Sequence, residues 1–255
     1  MTMFFDKQPV SLVDDLLPFY KPGEFASPTR STVPLFSLLK HGVGVWTRIS
    51  QLFAEEGDAI DVHVEYTVSS PQGTGIPSHT DVMLRKAGLA GALEAKWSEP
   101  RYDTVAQWLN KGTNPRNRCA VMDGWLSLLA SRVGRTLPRK AFDEAVYQMV
   151  HRAASACAVG TSPAMAYLQF SPLPDNTRPN IAQLENDLGH LHALLGKPAE
   201  LPFYLLDVEI RPTAAFIEIS GLPKGCASTA ATVKAALLNG SLFDFTASRT
   251  LRRWP

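Results

Sequence analysis

Between residues 60 and 68 the chain reads IDVHVEYTV, in which Val62, Val64, Tyr66 and Val68 alternate with Asp61, His63, Glu65 and Thr67. A period of two predicts a strand with one packed face and one polar face. A turn-rich stretch, SSPQGTGIPS, leads into TDVMLRK and then, after AGLAG, into ALEAKW, so residues 60–97 are expected to form three consecutive antiparallel strands. Upstream, Pro9, Pro18, Pro22, Gly23 and Pro28 interrupt any long periodic run, which predicts an irregular N-terminal stretch before a helix from about Val33 to His41, continuing to about Phe53. Downstream, helical spacing is expected over Tyr102–Asn110, Cys119–Arg132 and Ala141–Ala158. A strand follows at Met165–Phe170, and then a helix at 180–196 carrying Ile181, Leu184, Leu188, Leu191 and Leu195 on one face. Phe203–Ile210 reads as another strand and 227–238 as a last helix. The order predicts an α/β fold, a mixed central β-sheet flanked by helices.

With 255 residues, 45% of them hydrophobic, the chain can bury a large core as one domain spanning 1–255. Within it, a core of about 33–172 is expected to carry a C-terminal strand and helix elaboration over 173–255. Cys119, Cys157 and Cys226 are far apart and form no CxxC pair, which points away from a disulfide framework and towards a reducing, cytoplasmic setting. No run approaches the roughly 18–20 apolar residues that span a bilayer, so no membrane association is expected. A net charge of +1 excludes a chain that grips nucleic acid by bulk positive charge alone. A local basic groove remains open, with Lys111, Arg116, Arg118, Arg132, Arg135, Arg139 and Lys140 as candidates.

The chemistry concentrates in the predicted meander. Side chains at i and i+2 of a strand share a face, so Glu94 and Lys96 of LEAK project together, and an antiparallel neighbour brings Asp81 beside them. Two carboxylates and an ammonium suit a hard divalent cation and a phosphoryl group: the cation takes carboxylate oxygens, and the lysine orients water or neutralises developing charge. On the later helix, Gln148, His151, Arg152 and Ser155 fall at i, i+3, i+4 and i+7, a polar stripe that needs a partner.

Asp81, the short hairpin interval and Glu94-Ala95-Lys96 resemble the PD-(D/E)XK nuclease superfamily, to which restriction endonucleases belong, although Thr80 stands where the pattern has its proline. The resemblance, which covers about residues 60–155, implies a restriction endonuclease-like core. It also implies a Mg²⁺ (or Mn²⁺) ion held by Asp81 and Glu94, Lys96 as catalytic lysine, and a nucleic acid partner, DNA before RNA. Glu65 is a candidate third metal carboxylate, and Gln148 and Arg152 are candidates to contact phosphate or fix the lysine. Glu99, Asp103 and His79 flank the site but have ordinary surface or turn explanations. His190 and His192, at i and i+2 of a helix, point apart and chelate poorly. Two other readings stay open: a non-catalytic binding or assembly protein of the same fold, and a hydrolase of a small phosphate ester. A homodimer is also left open.

Overall fold

The computed structural model describes residues 2–54, 59–172 and 181–255. Eight strands form one mixed sheet in the order β2-β1-β3-β4-β5-β6-β7-β8. β3 (Asp61–Val68), β4 (Ser78–Lys86) and β5 (Leu89–Lys96) form the expected antiparallel meander, with only Ala87 and Gly88 between the last two. β6 (Ser162–Pro172) then pairs parallel to β5, and β7 (Phe203–Pro212) parallel to β6. Parallel neighbours need long crossovers. The first is supplied by α3 (Val105–Asn110), α4 (Pro115–Val133) and α5 (Tyr147–Val159), and the second by α6 (Ile181–Leu194).

Helices cover both faces. α1 (Thr32–His41), α2 (Val43–Ser50), α7 (Ala214–Ser220) and α8 (Ala227–Asn239) pack on one face around Phe36, Trp46, Val82, Leu93, Phe170 and Val208. The other face is closed by α4, α5 and α6 around Trp125, Met149, Tyr167 and Leu191. None of the helices in the described residues is long and apolar enough to cross a membrane.

Several boundaries differ from the sequence expectation. The first residues are not wholly irregular: β1 (Thr2–Phe5) and β2 (Gln8–Val10) form a small hairpin, and β1 adds parallel to β3. Helix 33–53 is two helices that meet at Gly42, where a Cβ would lie 2.5 Å from the Leu38 side chain. α5 begins at Tyr147 rather than at Ala141, because residues 139–142 form a separate 3₁₀ turn. α7 and the C-terminal strand β8 (Phe243–Trp254), antiparallel to β7, had no counterpart in the expectation. The expected helix start at 180 and the boundary at 173 lie outside the described residues.

The largest departure is inside β3. Val62 and Val64 face the α1 side, yet Tyr66 packs with Met83 and Ala156 on the α5 side. Glu65 between them adopts φ +56°, a left-handed backbone rare for a residue with a Cβ, and this turns the pleat over. β4 changes face at the same level, since Ser78 and Met83 both look towards α5. The β4–β5 ladder stops there, with Val82 opposite Leu93. The sheet therefore opens at the level of Glu65 and Asp81.

Candidate active site

Pairing of Val64 with Val82 and of Tyr66 with Thr80 puts Glu65 opposite Asp81, and pairing of Val82 with Leu93 puts Glu94 one step beyond, on the third strand. Three carboxylates from adjacent strands thus stand in one row across the sheet. The Asp81 carboxylate fills the gap where the ladder ends, its Oδ2 accepting the Ala95 N–H at 2.7 Å. All three line a cleft of about 870 Å³ together with Lys96. Its opposite wall comes from the N-terminal segment, including Tyr20, Lys21 and Glu24.

Glu94 is the centre of a buried network. Its Oε1 accepts from Lys96 Nζ at 2.8 Å and from Gln148 Nε2 at 2.7 Å, and its Oε2 accepts from Arg152 Nε. Gln148 and Arg152 sit at i and i+4 of α5, so one helical face delivers both to the same carboxylate. The other half of the predicted stripe is also partnered: Ser78 Oγ lies 2.8 Å from His151 Nδ1, accepts from Arg152 Nη1 at 2.6 Å, and lies 3.3 Å from Ser155 Oγ. Gln148 and Arg152 are therefore committed to Glu94 and Ser78. They orient the carboxylate and, through it, the lysine.

Electrostatics divides the carboxylates. Burial pushes Glu94 up, but the guanidinium of Arg152 and the ammonium of Lys96 outweigh it and hold the group below its ordinary value. For Asp81, burial and the neighbouring Glu94 charge prevail over the two cations and push the carboxyl up to about 7. Burial, then the Asp81 charge, pushes Glu65 up to about 8. His79, with Nδ1 3.8 Å from Glu65 Oε2, is itself lowered by burial and by Arg152, so at neutral pH it brings no full charge. Lys96 loses stability of its charged form through burial, but Glu94 more than restores it, and the ammonium also rests 4.3 Å from the Tyr102 ring centroid.

A divalent cation fits this donor set in kind. Carboxylate oxygens are its preferred ligands, and two carboxyls whose proton affinity stays raised despite the nearby cations would gain from the further positive charge that such an ion provides. Both lone pairs of Glu94 Oε1 are used by Lys96 and Gln148, whereas Oε2 accepts from Arg152 and keeps capacity, and Asp81 bonds through one oxygen. The row is not closed into a cage: among the described residues no group of three or more His, Cys, Asp or Glu converges to metal-holding distance.

Glu99 lines the cleft but caps backbone, accepting from Ser31 N–H at 2.6 Å and Trp97 N–H at 2.7 Å. Asp103 pairs with Lys111 at 2.7 Å. His192 is buried and packs on Phe203, away from the row. Of the basic candidates, Arg139 pairs with Asp123, Lys140 with Asp143, and Arg132 and Arg135 donate to the carbonyls of Thr161 and Leu194. Arg118 borders an adjoining cleft of about 470 Å³ beyond Gln148 and Arg152, lined also by Trp108, Trp125 and Tyr147. Ser78, Tyr102 and Tyr167 were not singled out from the sequence. Tyr102 carried a signal, an aromatic six residues past the lysine; Ser78 and Tyr167 depended on strand register that no local pattern reveals.

The model of one protein family, described as a domain of unknown function, matches residues 9–201, and every residue of the row and its α5 partners lies inside that span. No curated protein and no solved structure gives a significant match. With most of its length covered by that model, the chain belongs to the DUF6946 family.

Proposed function

We propose that this protein is a metal-dependent nuclease that hydrolyses phosphodiester bonds, with DNA favoured over RNA. The observation that carries the reading is the row of Glu65, Asp81 and Glu94 on three adjacent strands, with Lys96 on the same face as Glu94 and all four bordering one cleft. Asp81 and Glu94, with Glu65 beside them, would hold Mg²⁺ or Mn²⁺. Such an ion, when bound, polarises a phosphoryl oxygen and lowers the pKa of water. Lys96 stays protonated beside Glu94 and donates to the attacking water or to the charge growing on the phosphate. Gln148 and Arg152 keep Glu94 in place, and with it the lysine. In the hydrolysis the water oxygen bonds to phosphorus, the ester P–O bond breaks, and the water's proton passes to solvent or the leaving oxygen. The adjoining cleft carries the part-buried guanidinium of Arg118 against the Trp108 ring, a positive group that a phosphate backbone extending past the row would meet, which favours a nucleic acid over a small ester.

A specific observation favours a second reading, a non-catalytic protein of this fold. Glu94 is already satisfied by two cations and an amide, as in a structural ion-pair cluster. Melting with Mn²⁺ separates the two. The nuclease reading predicts that Mn²⁺ raises the Tm of the native chain and of Lys96→Ala but not of Asp81→Ala, while both substitutions abolish DNA cleavage. A native chain indifferent to Mn²⁺, or cleavage retained by both variants, contradicts it.

A further inference from the structure

Lys96 separates the cleft from a second, much smaller cavity of about 30 Å³, bordered by Tyr102, Gln148, Tyr167, Gln169 and Asp187. Two buried polar atoms on this border have no partner among the described residues: Tyr167 Oη and Gln148 Oε1. Tyr167 is fully buried, on β6 directly beside Glu94, and Gln148 is 9% exposed. The Gln148 amide cannot be turned to remove the problem, because its nitrogen must face the Glu94 carboxylate, to which it donates at 2.7 Å. A buried polar atom without a partner is costly, and such atoms are rare in folded proteins unless solvent satisfies them.

The volume and the chemistry agree on one occupant. A site needs roughly 10–15 Å³ and two to four polar partners to hold a water, and this cavity has the room, two unpartnered polar atoms on its border and Lys96 beside them. A water there would accept from the Tyr167 hydroxyl and from a Lys96 N–H not used by Glu94, and would donate to Gln148 Oε1. The cavity is bordered by Arg101 and Asp187, joined by two hydrogen bonds of 2.9 Å, with Gln183 also donating to Asp187 at 3.0 Å.

We propose that this cavity is a one-water site and that Tyr167 is a positioning residue, holding the Lys96 ammonium from behind through that water. Glu94 pulls the ammonium along the sheet, and the water fixes its second direction, so the remaining N–H points into the cleft. The water site stands on the cavity alone; its kinetic consequence rests on the nuclease reading above.

The experiment is a high-resolution crystal structure of the native chain and of Tyr167→Phe, with cleavage kinetics on both. The expected result is an ordered water within hydrogen-bond distance of Tyr167 Oη, Gln148 Oε1 and Lys96 Nζ, lost in Tyr167→Phe. In the variant kcat for DNA falls roughly tenfold with KM unchanged, as for a misaimed catalytic group. A dry cavity in the native chain, a water that persists unchanged in the variant, or a folded variant with native kcat overturns the proposal. A native chain that binds this water but cuts no DNA overturns the nuclease reading and leaves the water site standing.

Discussion

Glu94 carries the charge balance of the site, because two buried cations depend on it. Removing one member of a buried pair leaves an uncompensated charge, which costs about 3–5 kcal/mol, whereas an exposed pair is worth under about 1 kcal/mol. In urea denaturation, Glu94→Ala is therefore expected to lose several kcal/mol, and Arg139→Ala, which breaks the exposed pair with Asp123, to stay near native. Equal effects would mean that Glu94 is not the hub. Asp81 and Glu65 behave oppositely. Their carboxyls hold protons more tightly folded than unfolded, at about 7 and about 8, against roughly 4 for free carboxyls. The folded state then binds more protons than the unfolded state from about pH 4 up to those folded values, so stability falls as pH rises through that window and levels off above it. The shifted histidines, His41, His63, His79, His151 and His192, are all lowered, so they make stability rise with pH until the unfolded imidazoles lose their protons near 6.5, an opposite contribution that substitution of the carboxyls leaves in place. In EDTA, the native Tm is expected to drop from pH 6.5 to 9 by several degrees more than that of Glu65→Gln with Asp81→Asn, at about 2–4 °C per kcal/mol, because the histidines contribute equally to both. Parallel native and variant curves over this range contradict the assignment. The trio Asp81, Glu94 and Lys96 was legible in the sequence because an i, i+2 pair after a short turn fixes relative position. The commitment of Gln148 and Arg152 to Glu94 was half legible: their shared helix face was evident, its partner was not.

At the level of elements, β3 shows the limit of periodicity. Its alternation of apolar residues is unbroken in the sequence, yet the left-handed Glu65 sends Tyr66 to the other face. A pattern of residue types cannot signal one inverted φ, and that inversion is what opens the sheet at the carboxylate row. β8 was missed because FDFTASRTLRRW lacks strict alternation, and its pairing with β7 shifts register at two points. α7 is only seven residues long, too short for its spacing to stand out. α4 was anticipated as a helix, but not how closely it approaches residues 70–72. A Cβ at Gly124 would lie 2.2 Å from Ser70 Oγ and 2.9 Å from the Gln72 backbone nitrogen. Gly124→Ala is thus expected to destabilise by about 1–3 kcal/mol, despite alanine's better helix propensity. A neutral or stabilising result would show that the 70–72 segment yields at no cost.

On the scale of the molecule, one sheet carries the row near its middle, α5 supplies the groups that brace it, and the N-terminal segment walls the cleft. The α/β class and the antiparallel meander followed from the order of the patterned segments. The position of β1 and of the N-terminal wall did not, because they depend on contacts between residues far apart in sequence. The carboxylate row lies within the family match of residues 9–201, while β1 precedes that span and β7 and β8 follow it. The most direct test of the nuclease account is incubation of linear and closed circular DNA with the purified protein in Mg²⁺, Mn²⁺ or EDTA, beside Lys96→Ala. The account predicts metal-dependent cutting that EDTA and the substitution both abolish; no cutting in either metal, or equal cutting by the variant, contradicts it.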